Sequence, residues 1–97
     1  MRETGRYGTE AYLKKQVLAA GGATRKWVSP GHPSVPDQIV IWPAVGGAVI
    51  HFVEVKAPGK DAKAAQVREH KRLKALGCTV YVLNTKTKID GYAWAHK

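Results

Sequence analysis

The stretch that decides the fold is DQIVIWPAVGGAVIHFVEVK, residues 37–56. Two runs within it, 38–42 and 48–56, are rich in β-branched and aromatic residues, which is typical of strands. Between them the pair Gly46-Gly47 favours a tight reversal of the chain. The stretch therefore predicts a β-hairpin.

Two acidic residues lie among the apolar residues of this hairpin. If the chain turns symmetrically about Val45 and Gly46, Asp37 lies opposite Glu54. Neighbouring strands are about 4.8 Å apart, so the two carboxylates could share one divalent cation, which would also relieve their mutual repulsion. Lys56, two residues beyond Glu54, emerges on the same face of the strand. A positive side chain beside two carboxylates can orient water or stabilise charge that develops on a phosphate.

The same three residues also admit a purely structural interpretation. Asp37 could cap a turn, Glu54 could be exposed on an edge strand, and Lys56 could simply pair with it. Each of these arrangements is common when the residues are considered singly. A carboxylate within an apolar strand nevertheless costs free energy to desolvate unless a cation or a donor compensates it, so the combination favours a site.

Upstream of the hairpin the pattern predicts a helix, a strand and a loop. Residues 9–20 suit a helix, with Thr9 as a candidate N-cap and Gly21-Gly22 as its end. Residues 25–28 suit a short strand. Residues 29–36 form a loop that leads directly into the hairpin, because three prolines and a glycine interrupt regular structure.

Downstream of the hairpin the pattern predicts a second helix and a fourth strand. A helix from Ala62 to about Leu76 would begin after the candidate N-cap Asp61, and residues 78–83 form an apolar strand. The tail, 85–97, does not distinguish helix from strand, although its apolar residues indicate that it folds back on the core.

The predicted order of elements is thus helix, three strands, helix, strand. A helix between the third and fourth strands is compatible with parallel pairing of those strands. We therefore expect an α/β fold with a mixed β-sheet flanked by helices, in a single compact domain that covers residues 1–97.

The charge of the chain favours a polyanionic partner. Its 16 lysine and arginine residues against 7 aspartate and glutamate residues give a formal net charge of +9, which fits nucleic acid, although surplus lysine also serves solubility. The single cysteine, Cys78, can form no intrachain disulfide, and the histidines lack zinc-ligand spacing, which excludes a zinc finger. No apolar signal region or membrane-length apolar run is present, so we expect an intracellular, cytoplasmic location and no membrane contact.

The ordered set of motifs resembles the VRR-NUC domains of the PD-(D/E)XK nuclease superfamily. The resemblance rests on Val35-Pro36-Asp37, on the apolar run 38–41 and on Phe52-Val53-Glu54-Val55-Lys56. Gly59 and Gln66 downstream and Glu10 upstream make it similar to VRR-NUC domains specifically. The resemblance covers almost the whole chain and implies a restriction-endonuclease-like core. Because stand-alone domains of this kind are associated with phages and bacteria, it also implies a phage or prophage source.

By this resemblance, Asp37, Glu54 and the main-chain carbonyl of Val55 would hold Mg²⁺ or Mn²⁺ as the cofactor, and Lys56 would assist the attacking water. The implied function is endonucleolytic hydrolysis of DNA phosphodiester bonds, with branched or four-way-junction DNA among the candidate substrates. Two other functions stay open, namely a basic DNA-binding module without catalysis and a junction resolvase of archaeal type on the same fold.

Two residues outside the hairpin complete the candidate catalytic set. By the resemblance, Glu10 would reach the metal from the first helix, where it lies on the same side as Leu13; its alternative is a surface partner for Lys14. Gln66, on the inward stripe of its helix, could contact Lys56 or the scissile phosphate, or could make an ordinary hydrogen bond between helix and sheet.

Further predictions concern DNA contacts and assembly. Five basic residues of the second helix could contact phosphates that flank the cut or could form a solvated face: Lys63, Arg68, Lys71, Arg72 and Lys74. A duplex presents two strands of opposite polarity, so a homodimer would place one site on each strand. The tail around Tyr92 and Trp94 could supply part of that interface or could fold back on its own core.

Overall fold

The computed structural model describes residues 5–97, with side chains from Gly8 onward. The elements in chain order are α1 (Gly5–Ala19), β1 (Ala23–Lys26), β2 (Gln38–Trp42), β3 (Val49–Val55), α2 (Ala64–Ala75), β4 (Thr79–Leu83) and α3 (Lys86–Ala95). The expected α/β fold, a mixed sheet flanked by helices, is confirmed. None of the helices in this range is long and apolar enough to cross a membrane.

The strands form one sheet in the order β1-β2-β3-β4. β2 is antiparallel to both β1 and β3, whereas β4 is parallel to β3 because α2 carries the chain back along the sheet. In the hairpin Trp42 pairs with Val49 and Gln38 pairs with Val53, so the predicted register is confirmed. One further residue along this register, Asp37 lies opposite Glu54.

The core lies between α1, α3 and one face of the sheet. Leu13 and Val17, one helical turn apart on α1, are buried against Val40 and Val53 of the hairpin. Ile89 of α3 belongs to the same cluster. Burial of such a side chain contributes roughly 1.5–3 kcal/mol relative to its exposure, so these contacts fix both helices against the hairpin.

The opposite face of the sheet carries the residues that alternate with this core. Phe52 and Glu54 of β3 point to it, and α2 packs over its β4 side. Glu54 and Val80 are buried there, whereas Ile39 and Phe52, toward β1, are only half-buried. Glu54 thus lies at the border between the part of this face that α2 covers and the part that it does not.

α1 begins earlier than predicted. It starts at Gly5, so Thr9 lies inside the helix and is buried, and the prediction that Thr9 is the N-cap is wrong. Gly8 and Thr9 are buried in this part of the helix, which compensates for the low helix propensity of Gly8. The predicted end is confirmed, since Gly21 has a φ of 98° and a Cβ on Gly22 would lie 2.8 Å from Cε3 of Trp42.

β1 and β4 are shifted from their predicted bounds. β1 covers Ala23–Lys26 rather than 25–28, because pairing with β2 begins directly after the glycine pair. Trp27 lies outside β1 but continues the hydrogen-bond ladder between β1 and β2, since its N–H donates to the carbonyl of Asp37 at 2.9 Å. β4 begins at Thr79, one residue later than expected.

α2 is shorter than predicted and begins at a different cap. It covers Ala64–Ala75, and Lys63 occupies the N-cap position, so the prediction that Asp61 is the N-cap is wrong. The physical reason lies in Gln66, whose Oε1 accepts a hydrogen bond from the N–H of Lys63 at 2.8 Å. This contact satisfies one of the free N–H groups of the first turn and fixes the start of the helix.

The tail forms α3, which the sequence pattern left undetermined. The hydroxyl of Thr85 accepts from the N–H of Lys88 and caps the helix. Ile89 and Tyr92 are buried, so the tail folds back on its own core, whereas Trp94 is 74% exposed. Of the two aromatic residues predicted at an interface, Tyr92 therefore belongs to the core, and Trp94 remains on the surface.

Candidate active site

Asp37 follows Pro36 directly before β2 and is held from two sides by main-chain hydrogen bonds. Its Oδ1 accepts from the N–H of Val55 at 3.0 Å, and its carbonyl accepts from the N–H of Trp27. The residue is 9% exposed. The two neighbouring strands thus position both the backbone and the carboxylate of Asp37 before any ligand binds.

Glu54 lies opposite Asp37 and is 3% exposed. Its Oε2 lies 3.7 Å from Nζ of Lys56, and its Oε1 lies 3.9 Å from Nε2 of His70. A buried carboxylate is costly without compensation, and here a nitrogen-bearing side chain flanks each of its oxygens. We call the group of Asp37, Glu54, Lys56 and His70 the carboxylate end of the hairpin.

The main chain of Val55 belongs to the same end. Within an extended strand the N–H and C=O of one residue point to the same edge. Because the N–H of Val55 donates to Asp37, its carbonyl oxygen points to that edge of β3 as well. The N–H of the next residue, Lys56, points the other way and donates to the carbonyl of Leu83. The carbonyl of Val55 is therefore a third oxygen directed toward Asp37.

His70 is the functional candidate that the sequence analysis did not single out. It is 5% exposed, and its Nε2 has no hydrogen-bond partner among the residues that the structure describes. Burial lowers the pKa of His70, the charge of Lys74 lowers it further, and Glu69 acts in the opposite direction. The available signal was helical spacing, because His70 lies one turn after Gln66 on the inward side of α2.

Glu10 lies on α1, beside the start of β2. Its Oε1 accepts from Nε2 of Gln38 at 2.9 Å and lies 3.8 Å from Nζ of Lys26. Its Oε2 is buried and has no hydrogen-bond partner within residues 8–97. Gln38, which sequence reasoning had treated only as part of a strand, points to the core face, whereas the side chain of Asp37 belongs to the opposite face. The structure therefore places Glu10 next to the carboxylate end rather than within it.

Gln66 caps its own helix, as described above. Its Oε1 is engaged by the N–H of Lys63, so this oxygen does not make the predicted contact with Lys56. The amide nitrogen of Gln66 carries two N–H donors that the cap does not use.

The five basic residues of α2 that were predicted to contact DNA are exposed, namely Lys63, Arg68, Lys71, Arg72 and Lys74. Arg72 donates from Nε to Oε1 of Glu69 at 2.9 Å, so its charge is partly neutralised. Lys74 lies close enough to His70 for its charge to lower the pKa of that residue. Their contact with DNA stays a prediction.

The donors at the carboxylate end suit a hard divalent cation. No three histidine, cysteine or carboxylate side chains in the described part of the chain form a group that could hold one ion. Asp37, Glu54 and the carbonyl of Val55 supply oxygen only, which Mg²⁺ and Mn²⁺ prefer. Mg²⁺ usually binds proteins through one or two carboxylates together with water and substrate phosphate. The residues present therefore fit an ion whose coordination is completed by water molecules and a substrate phosphate.

The other end of the hairpin contains a second buried polar cluster, formed by Trp42, His51, Tyr92 and His96, which we call the aromatic end. The hydroxyl of Tyr92 accepts from Nε1 of Trp42 at 2.8 Å and lies 2.7 Å from Nδ1 of His51. Trp42 can only donate, so the Tyr92 hydroxyl accepts from it, and its second contact links it to the His51 ring. Nδ1 of His96 donates to the carbonyl of Tyr92 at 2.8 Å. Burial raises the pKa of Tyr92 to about 12.

Comparison with known proteins finds relatives in sequence and in structure. The chain is 47% identical over 77 residues to the protein named "Putative nuclease p44" of Acyrthosiphon pisum secondary endosymbiont phage 1, a match that covers 79% of this chain and 80% of that protein. It is also similar to a solved structure described as a VRR_NUC domain, with a TM-score of 0.83 and 31% sequence identity, over 95% of this chain and 97% of that one. No family model matches the chain.

Proposed function

Because the chain belongs to the VRR-NUC domain family, we propose that it is an endonuclease of the PD-(D/E)XK type that hydrolyses DNA phosphodiester bonds with a bound Mg²⁺ or Mn²⁺. The observation that supports this most is the geometry of the carboxylate end. There the carboxylate of Asp37 accepts from the N–H of Val55, the residue next to Glu54, and Lys56 lies beside Glu54. A net positive charge of +9 on the chain suits a DNA substrate.

Each residue of the carboxylate end would have a distinct part in the reaction. Asp37, Glu54 and the carbonyl of Val55 would hold the ion. When bound, the ion would supply Lewis-acid activation of the phosphate and a more acidic water. Lys56 would stabilise the negative charge that develops on the phosphate, since its Nζ lies at the edge of the site and its side chain is 15% exposed.

Glu10 and Gln66 would act at the margins of this site. The buried Oε2 of Glu10, which has no hydrogen-bond partner among the described residues, is an acceptor for a water molecule that approaches from the α1 side. Gln66 would donate to a DNA phosphate through its amide N–H groups, since its oxygen already caps α2. Neither residue needs to move its hydrogen-bonded oxygen to do so.

Cleavage assays test the proposal. We expect the chain to cut DNA with Mg²⁺ or Mn²⁺ and to be inactive in chelator. Glu54→Gln should lose cleavage, whereas Glu69→Gln, which changes another buried glutamate, should retain it. A panel of linear, flapped and four-way-junction DNAs distinguishes a general endonuclease from a junction resolvase. Binding of every DNA without any cleavage would instead indicate a non-catalytic DNA-binding module, and cleavage by Glu54→Gln at the parent rate would contradict the proposed site.

We also propose a homodimer, since a duplex presents two strands and each chain offers one carboxylate end. Trp94, exposed on α3, is the residue through which the tail would contribute to the interface. Light scattering at micromolar concentration should give the mass of two chains for the parent and a lower mass for Trp94→Lys. The mass of one chain for the parent, with and without DNA, would contradict the proposal. Preference for branched DNA and an intracellular location stay predictions.

A further inference from the structure

We propose that the cleft between Asp37 and the proline-rich loop, residues 28–33, binds one unpaired nucleobase of the strand that is cut. The inference rests on the proposed function, because it takes the scissile phosphate to lie at the carboxylate end. The catalytic residues alone do not imply this feature of the substrate. It is an unpaired, unstacked nucleotide next to the phosphate that is cut.

The cleft is continuous with the carboxylate end. It has a volume of about 390 Å³, and Asp37 forms part of its wall. That volume lies within the range of small-ligand pockets, roughly 300–1,000 Å³. Trp27, which also lines the cleft, is the ladder neighbour of Asp37, and such neighbours lie about 5 Å apart. A group bound against Trp27 is therefore within one nucleotide of a phosphate held at Asp37.

The apolar part of the wall suits the flat face of a base. Trp27 is half-buried and contributes an aromatic surface, and Pro30 and Pro33 contribute apolar surfaces from the loop. Unpaired bases bind proteins by stacking on aromatic side chains, and every base has a face that can stack. The contact therefore requires an unstacked base but selects no particular sequence.

The polar part of the wall suits the edge and the phosphate of the same nucleotide. Ser29 and His32 bring a hydroxyl and an imidazole, which can donate to or accept from the edge of a base. Among the residues that the structure describes, Lys26 is the only lysine or arginine on the wall, and it lies at the rim, since its side chain is 53% exposed. A single cation at the rim, with the Asp37 carboxylate on the wall, suits a nucleobase inside the cleft and its phosphate outside it.

The cleft is formed before DNA arrives. The N–H of His32 donates to the carbonyl of Ser29 at 3.0 Å, and Gly31 has a φ of 83°, which permits the turn. The ring of Trp27 packs on Phe52 with 4.9 Å between centroids. Because these contacts already order the wall, binding a base there loses little conformational entropy.

A base within a duplex cannot enter such a cleft. Its two faces are covered by its neighbours, and its edge is bonded to its partner, so it must first leave the stack. That step is least costly where the base is mismatched or single-stranded. We therefore expect the chain to prefer DNA that has an unpaired nucleotide beside the cut over a fully paired duplex of the same length.

Binding in chelator, where no cleavage occurs, tests the inference separately from catalysis. Fluorescence anisotropy would compare a blunt duplex with the same duplex that carries a short single-stranded tail. The parent should bind the tailed DNA more tightly, and Trp27→Leu should weaken that binding by about 5- to 150-fold, the range measured for loss of one stacking contact, with little effect on the blunt duplex. Leu18→Ala, which changes an exposed apolar residue of α1 outside the cleft, is the control and should leave the ratio between the two substrates unchanged.

Two further measurements guard against a variant that merely folds poorly. His32→Ala changes an exposed loop residue and should reduce the same ratio without lowering the melting temperature. Photocrosslinking of a 5-iodouracil in the tail, mapped by mass spectrometry, should identify Trp27 or His32. A crosslink elsewhere, or an unchanged ratio in both variants, would overturn the inference. Cleavage that persists without any preference overturns this inference alone, whereas preference and crosslink without cleavage overturn the proposed function alone.

Discussion

The two ends of the β2–β3 hairpin both bury polar side chains but hold them differently. At the aromatic end the hydroxyl of Tyr92 lies 2.8 and 2.7 Å from nitrogens of Trp42 and His51. At the carboxylate end nitrogens of Lys56 and His70 lie 3.7 and 3.9 Å from the oxygens of Glu54. Hydrogen bonds between charged groups are typically shorter, about 2.7–2.9 Å.

This difference indicates which buried polar groups serve the fold and which are placed for a ligand. The short contacts of the aromatic end hold α3 on the hairpin and use the polar atoms of Tyr92. The carboxylate end instead buries two carboxylates close together, Asp37 and Glu54, an arrangement that a bound cation would stabilise. Changes at the carboxylate end should therefore affect activity more than stability, and changes at the aromatic end should do the reverse.

Asp37→Asn should have the largest effect on activity. Asparagine keeps an oxygen that can accept from the N–H of Val55 but removes one charged ligand, so cleavage should fall by at least about 10³-fold, equivalent to several kcal/mol of transition-state stabilisation. The metal-free chain should be as stable as the parent or more stable, because repulsion from Glu54 is removed. Single-turnover kinetics and thermal unfolding measure both effects, with the exposed Asp61→Asn as control. A clear loss of stability would make Asp37 a structural residue.

Lys56→Ala should reduce turnover by about 10²-fold and leave metal affinity unchanged or improved. The positive charge stabilises the transition state but opposes the binding of a cation. Calorimetric titration with Mn²⁺ beside single-turnover kinetics separates the two effects, and Lys60→Ala, an exposed lysine in the next loop, is the matched control. Weaker metal binding in Lys56→Ala would contradict this role.

His70→Ala should weaken metal binding or activity by roughly 10- to 100-fold, the usual cost of losing a group that orients a ligand. His70→Gln, which keeps an N–H donor, should recover part of the loss. Calorimetry with Mn²⁺ measures the affinity independently of cleavage. Equal metal affinity and equal cleavage rates in the parent, His70→Ala and His70→Gln would show that His70 only fills space.

Tyr92→Phe should affect stability and not activity. It removes the partner of both Trp42 and His51, and each buried group left without a hydrogen bond costs about 1–3 kcal/mol, so the free energy of unfolding should fall by about 2–6 kcal/mol. Urea denaturation measures this loss, and Tyr81→Phe in the same aromatic cluster is the control. If Tyr92→Phe kept the stability of the parent but cleaved DNA more slowly, the claim that the aromatic end serves stability rather than activity would be wrong.

Acid should produce the smallest of these effects, through the two buried histidines whose pKa is lowered, His51 and His70. Burial lowers the pKa of His51 below 6.5, and the charge of His96 lowers it further. The folded state therefore binds fewer protons than the unfolded state, so stability is complete above pH 6.5 and decreases as pH falls below it. The slope is at most about 1.4 kcal/mol per pH unit for one histidine.

The groups that face His51 are Tyr81, Tyr92 and His96, and His70 adds a second contribution because its pKa is lowered as well. Urea denaturation between pH 7 and 5 should show a smaller slope in His51→Gln than in the parent. An equal slope in the two proteins would assign the acid sensitivity to other groups.

The hairpin and its register could be predicted from the sequence because both depend on local pattern. The apolar runs and the glycine pair centre the turn, and the side-chain period of 2 then places Asp37, Glu54 and Lys56 on one face without further information. The carbonyl of Val55 was predicted only by the family resemblance, and the hydrogen bond from the Val55 N–H to Asp37 shows the edge to which it points. These residues lie within one stretch of 20 residues, 37–56, so no long-range contact was needed to bring them together.

The features that the sequence could not predict depend on contacts between distant segments. His70 meets Glu54 only because α2 packs over the β4 side of the sheet, next to Glu54, and helix spacing alone does not give the distance between helix and sheet. The cap of α2 depended on a side chain three residues inside the helix, which displaced the more common capping residue Asp61. α3 has few sequence signals for helix, and burial of Ile89 and Tyr92 decides its conformation.

The strand order β1-β2-β3-β4 repeats the chain order, and this has a kinetic consequence. Chains in which neighbours in sequence pair with each other close short loops and fold quickly. The hairpin can therefore bring Asp37 and Glu54 together early, whereas His70 arrives only when the longer connection through α2 has closed. We expect Asp37 and Glu54 to come together first at the solvent-exposed end of the hairpin. α2 then packs beside them in a second stage of folding. The last step of folding is then also the step that completes the surroundings of Glu54.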